Sequence, residues 1–393
     1  MAKALALAGV LLALLGASPA SSKLGDLYAL RYGAKMSLLV PYDSVRLVPS
    51  GRAIPIGHFA HAWSMSPDRS RFVAAAGWQL MKGEPAALRF VDLATGRLAG
   101  TLSLPGEFRR VTATAWVRGR VLVVVSGSTS TAVYSIDPER RLAISQVEVP
   151  GLVVLGERTP GSLVLLLAPP DRIGAATIAV VDRSPRVRTA LLDRIAVGST
   201  ATGLGENHRM TIRRPALALS PSGQRAFVIG AGESAASVDL RTLTVRYAPT
   251  RRAATATKQV EGWVRTAATL PDGRLVVTGV DYGTQAAVGL WVIDPRDWSR
   301  RLLDSAANWF RVGGGLIFAR GDKAGLRILR PSGAAVELFR SGSVATVSVI
   351  GPRAFVTFFG KQKAAVIELA TGRVVRHPVP AHVLTGAGEL IVG

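Results

Sequence analysis

Residues 91–97 read VDLATGR and residues 367–373 read IELATGR, 276 positions apart. Equivalent segments recur between them. Each is a short aliphatic strand, a turn and a second strand. The turn residue is Asp92, Asp137, Asp182, Asp239 and Asp294, then Arg330 and Glu368 in two degenerate copies. A second strand pair precedes each one, joined by a Pro-Asp, Pro-Ser-Gly or Gly-type turn. Examples are SMSPDRSRFVAAAG, ALSPSGQRAFVIGAG and ATLPDGRLVVTG. Such turns supply the restricted or positive φ that tight hairpins need. The unit is therefore four antiparallel strands. The two ATGR turns lie six units apart, and 276/6 gives 46 residues per unit. That is close to the ~40–45 residues of a four-stranded propeller blade.

An open ring of blades exposes sheet edges, so closure is expected. The C-terminal LTGAGELIVG reads as the first two strands of a unit, and MSLLVPYDSVRLVPSGRAIPIG from Met36 reads as the last two. Joined, they make one more blade. The pattern predicts an all-β, single eight-bladed propeller over 36–393, with seven blades as the alternative and the N- and C-terminal strands sharing one blade. Residues 21–35 are expected to be a lead-in.

Residues 1–20 carry one charge, Lys3, then an apolar stretch and a small-x-small site at Ser18-Pro19-Ala20. This is the pattern of a cleaved secretory signal peptide. It predicts a bacterial, exported, extracytoplasmic chain with no transmembrane helix after cleavage. The absence of cysteine removes disulfides, thiolate metal sites and cysteine nucleophiles.

Net charge is +22, from 48 basic and 26 acidic residues. The arginines are scattered or paired, with no basic run and no interleaved aromatics, so nucleic acid is not the expected partner. An unknown protein or an anionic cell-envelope polymer is, with the chain itself a monomer.

The hairpins quoted above resemble those of WD-repeat-like, YVTN-type and TolB-like propellers, and the two ATGR turns look like the D-x-x-T-G turn of these families. The resemblance implies the fold and says little of function, because the same motifs serve many activities. No tryptophan follows either ATGR turn, unlike the pattern of quinoprotein dehydrogenases.

Function on a propeller concentrates in long connections held by a rigid scaffold. Tight turns close the first and third hairpin positions of each unit. The long segments 78–87, 281–288, 196–214 and 249–261 fall at the opposite end of the strands. The expected binding face collects His61, Trp63, Arg110, His208, Arg214, Glu261, Arg265, Trp309, Arg311 and His382 around the channel mouth. No cofactor, metal or catalytic residue is expected. His58, His61 and His382 lack a sequence-placed carboxylate to complete a tetrahedral zinc site. The turn aspartates are expected to cap their own turns. The function expected is a non-catalytic binding or scaffold module of the bacterial envelope. The alternative is a propeller hydrolase or lyase acting on a lactone or sugar derivative, with Glu157 and Glu261 as candidate channel carboxylates.

Overall fold

The computed structural model describes residues 27–32, 36–43, 48–57, 62–76, 87–104, 110–170, 172–184, 186–202, 209–230, 234–248, 260–282, 284, 286–321, 325–333, 335–339, 344–358, 363–380 and 389–392. Residues 1–20, expected to be a signal peptide, lie outside them. Among the described residues no helix is long and apolar enough to cross a membrane.

The chain is a β-propeller built of four-stranded antiparallel meanders. Sequence pattern explains the order of burial within a blade. The second strand is a continuous aliphatic run, such as Arg120–Ser126, in which Val121 through Val125 are fully buried. A strand covered on both faces carries this kind of run. The fourth strand alternates and stays exposed, as in Leu142–Pro150. Apolar clusters fill the gaps between consecutive blades. Val73, Leu88 and Phe90 pack against Trp116, Val123 and Tyr134 of the next blade.

The first strands form the inner ring. Ala62–Met65 packs beside Arg110–Val117, which neighbours Leu152–Arg158, followed by Ala216–Leu219, Val260–Thr269, Trp309–Gly313, Val344–Ile350 and Glu389–Val392.

Two expectations are corrected. The predicted eight separate four-stranded blades, and the seven-bladed alternative, are not what forms. Six four-stranded blades stand as separate sheets, and a single ten-stranded sheet accounts for the rest of the ring. The reason is the connection read as a loop at 196–214. The outer strand Val187–Thr202 runs on for 16 residues, past its own blade. It turns back as Arg209–Arg214, which pairs in parallel with the start of Val260–Thr269. Two repeat units thereby become one sheet.

The closing sheet also divides differently. It takes three strands from the N-terminal side, Leu27–Tyr32, Ser37–Tyr42 and Ile54–Gly57, and one from the C-terminal side, Glu389–Val392. The expected split was two and two. Leu27–Tyr32 falls within the segment expected to be a lead-in. It reads LYALRY, and Leu27, Ala29 and Leu30 are fully buried. Tyr28 and Leu30 pack against Phe72 on one side, and Leu27 and Ala29 against Phe355 on the other.

The turn aspartates cap their turns. The Asp92 carboxylate accepts from the Thr95 amide at 2.8 Å, and Asp239 accepts from the Arg241 and Thr242 amides, both at 2.9 Å. Hydrogen bonds to the ionised form lower a carboxyl pKa. The Ser66 and Ser70 hydroxyls hold Asp68 at about 2, and the Arg296 guanidinium and amide hold Asp294 at about 2. A folded-state pKa below the unfolded value stabilises the fold above roughly pH 4, and that contribution disappears as pH falls through the folded value. The melting temperature is therefore expected to hold between neutral pH and about pH 5, then fall between about pH 4 and 2. The Asp68→Asn/Asp294→Asn double variant should show a shallower acid limb in a calorimetric pH series. An identical limb in both proteins would remove these turns as its cause.

Candidate functional site

The described ends of two long connections meet at one end of the inner ring, while 78–86, 203–208 and 249–259 lie outside the described residues. Gly198–Thr202 and Arg209–Arg213 pair as a hairpin, and Met210–Arg214 pairs in parallel with Val260–Val264. The described parts of two segments read as separate loops thus join within the ten-stranded sheet, as a cap on the long-connection end. Two glycines permit it. Gly262 has φ +143°, and a Cβ there would lie 2.1 Å from the Ile212 carbonyl oxygen. Gly198 has φ +118°, and its Cβ would lie 2.3 Å from the Arg172 carbonyl oxygen. Only glycine gives both the conformation and the close approach.

Beneath the cap, Arg265 lies on the inner strand two residues past Trp263. Its guanidinium stands 5.7 Å from the indole centroid. Its Nη1 donates to the Val264 and Val280 carbonyls, each at 3.2 Å. Burial pushes the Arg265 pKa down, against the nearby Asp281 carboxylate. Arginine stays protonated even so. The result is a partly desolvated cation braced by neutral carbonyls. Arg213 is half-buried and donates to its own neighbour's carbonyl, Ile212, at 3.1 Å, while Arg214 is exposed.

A second indole–guanidinium pair stands on the adjacent inner strand. Trp309 and Arg320 are register partners, and the guanidinium lies 5.1 Å from the ring centroid. Close by in sequence, Asp304 ends the outer strand of the ten-stranded sheet. It makes a 2.7 Å ion pair with Arg327 of the next blade and accepts from the Ala306 amide at 2.9 Å. Asp304 is buried, and Arg327 Nη2 is buried without a hydrogen-bond partner. Removing one member of such a pair leaves an uncompensated buried charge, so this pair ties the connection rigidly to the ring.

The expected site residues divide as follows. Arg214, Glu261 and Arg265 come together at the cap; Thr211 is the register partner of Glu261, and Val264 that of Arg214. Trp309 stands on the neighbouring inner strand. Arg110 begins its inner strand, where its register partner is Ser126. Trp63 serves packing: it stacks on Phe72 with centroids 6.0 Å apart and seals the core beside the closing sheet. Arg311 lies deeper in the ring, opposite Phe318 and three pairs from the Gly314-Gly315 turn. His61, His208 and His382 lie outside the described residues. Sequence reasoning missed Arg320 and the Asp304–Arg327 pair. The signal for Arg320 was present: the Gly-Gly turn between the two strands fixes its register opposite Trp309.

Two adjacent indoles carrying guanidiniums, beside an arginine-bearing cap, make a surface suited to anionic groups. Indole faces supply apolar contact, and the cations supply charge-assisted hydrogen bonds.

Comparison with protein families finds no match, and comparison with characterised proteins finds none either. Solved structures do share the fold. The dihydro-heme d1 dehydrogenase NirN, in complex with DHE, superposes with a TM-score of 0.60 at 12% identity, covering 93% of this chain and 77% of that one. AztD from Citrobacter koseri gives 0.57 at 11% identity, over 93% and 97% of the two chains. A protein of unknown function from Desulfotomaculum acetoxidans gives 0.51 at 13%, over 93% and 99%. Likeness at this identity shows the β-propeller fold alone. The names attached to it differ in kind.

Proposed function

We propose that the chain is an exported β-propeller of the bacterial envelope that binds an anionic partner, polymer or protein, at its long-connection end. The observation that carries this reading is the cap, which brings the described ends of two long connections next to the desolvated Arg265 and the inner strand of the Trp309–Arg320 pair. The strongly basic balance supports the same sign of partner, and the leader-like residues 1–20 support export. Burial keeps Arg265 short of solvent, so an incoming anion finds a cation already stripped of much of its water.

The test uses poly(glycerol phosphate) as the probe and residues 21–393 as the protein. Binding by calorimetry is expected to weaken at least tenfold between roughly 50 and 300 mM salt, because exposed charges are screened over that range. Replacing 199–212 by a short Gly-Ser connector is expected to leave the melting curve of the blades in place and to abolish binding. Salt-independent binding, or full binding by the shortened protein, would overturn the proposal.

A further inference from the structure

A second charged arrangement lies inside the ring, toward the tight-turn end. Glu157 and Arg311 belong to the inner strands Leu152–Arg158 and Trp309–Gly313. Two other inner strands, Ala216–Leu219 and Val260–Thr269, stand between these around the ring. The two residues therefore stand on separate blades, three steps apart around the inner ring, and the Arg311 charge acts on Glu157 from there. They are at similar depth. Glu157 is the register partner of Val164, just before the turn at 159–162, and Arg311 is that of Phe318, just before the turn at 314–315.

Both side chains are exposed to solvent. Among the described residues neither makes a hydrogen bond or an ion pair within 4.0 Å. Yet the surroundings of Glu157 desolvate its carboxyl and raise its pKa, and the Arg311 charge acts in the opposite direction. Access to water together with desolvation describes a group lining a narrow aqueous passage. Gly156 precedes Glu157 and is exposed, so no side chain crowds the carboxylate from that position. The same level of the ring holds unused hydrogen-bonding capacity. Ser64 Oγ and Thr114 Oγ1, one and three residues before the ends of their inner strands, are buried without a hydrogen-bond partner among the described residues.

We infer that Glu157 and Arg311 form a binding site for a small zwitterion, its ammonium group on Glu157 and its carboxylate on Arg311. Two opposite charges held apart across water present a fixed dipole. A lone anion satisfies only Arg311 and is repelled by Glu157; a lone cation meets the reverse. A molecule carrying both charges at the right separation satisfies both, and each contact is a charge-assisted hydrogen bond. Among the described residues neither protein group has a competing internal partner. The site is distinct from the cap, which lies at the other end of the strands.

The test is a series of ω-amino acids, from glycine through β-alanine and γ-aminobutyrate to ε-aminocaproate, titrated by calorimetry into residues 21–393. At least one member is expected to bind at millimolar concentration, while acetate and ethylammonium do not bind at about 20 mM. Glu157→Gln and Arg311→Met keep side-chain size and are each expected to weaken that ligand at least tenfold. The swapped variant Glu157→Arg/Arg311→Glu restores the dipole in reverse and is expected to recover binding, which separates a lost contact from a misfolded channel. No binding by any member overturns the inference. So does equal binding by the half-molecules, or affinity indifferent to both single variants.

Discussion

Deleting residues 389–393 is expected to lower the melting temperature by ~5 °C. Glu389–Val392 supplies the innermost strand of the closing sheet, pairing antiparallel with Leu27–Leu30. Its loss removes about four backbone hydrogen bonds worth roughly 1 kcal/mol each. For a chain of this size that corresponds to a shift of the stated order. The loss also bares the edge of a strand whose Leu27, Ala29 and Leu30 are fully buried between two neighbouring blades. Exposed edges of this kind pair with other chains, so aggregation is expected to accompany the lower transition. Scanning calorimetry with light scattering checks both. An unchanged transition would mean that the ring holds without its C-terminal strand.

The second large effect is local. Gly262→Val places a branched side chain where φ is +143° and where a Cβ meets the Ile212 carbonyl oxygen at 2.1 Å. Backbone strain alone costs about 1–3 kcal/mol, and the parallel pairing must also open. The cap is expected to detach while the blades stay folded. Amides of 210–214 should pass from protected to rapidly exchanging, with Val121–Val125 unchanged, and polyanion binding should fall with them. Gly273→Asn is the control. Gly273 also has positive φ, at +87°, but nothing lies within 4 Å of its Cβ position, and it sits at the tight-turn end. Continued protection of 210–214 in the Gly262→Val protein would show that the parallel register does not hold the cap.

Part of the arginine content has a structural use that composition does not reveal. Arg141 donates to the Ala99 carbonyl of the preceding blade at 2.8 Å. Arg188 donates to the Arg241 and Leu240 carbonyls of the following one at 2.7 and 2.9 Å. Arg301 reaches the Ser332 and Pro331 carbonyls in the same way. These guanidiniums tie outer strands to neighbouring turns, where their two-pronged donors suit adjacent backbone oxygens. They are not available as a general anionic footprint. The case for an anionic partner rests on the arginines at the cap and on the inner ring.

By itself the sequence determined what depends on neighbours in the chain. The four-strand unit follows from alternating aliphatic runs and turn residues a few positions apart. The Asp92 and Asp239 caps follow from turn chemistry confined to three or four residues, and the opposed ends of tight turns and long connections follow from strand alternation. The need to close the ring followed from the cost of an unpaired edge. Tertiary structure alone decided which strands close it, because LYALRY carries no mark separating a lead-in from a buried strand until Phe72 and Phe355 lie against it. The cap was likewise hidden. Residues 210–214 and 260–264 pair in parallel from segments separated by a whole blade, and no turn of their own sets that register. Glu157 and Arg311 are further apart still in the chain. Only the circular order of the inner strands, fixed by blade packing, brings the Arg311 charge near enough to act on Glu157.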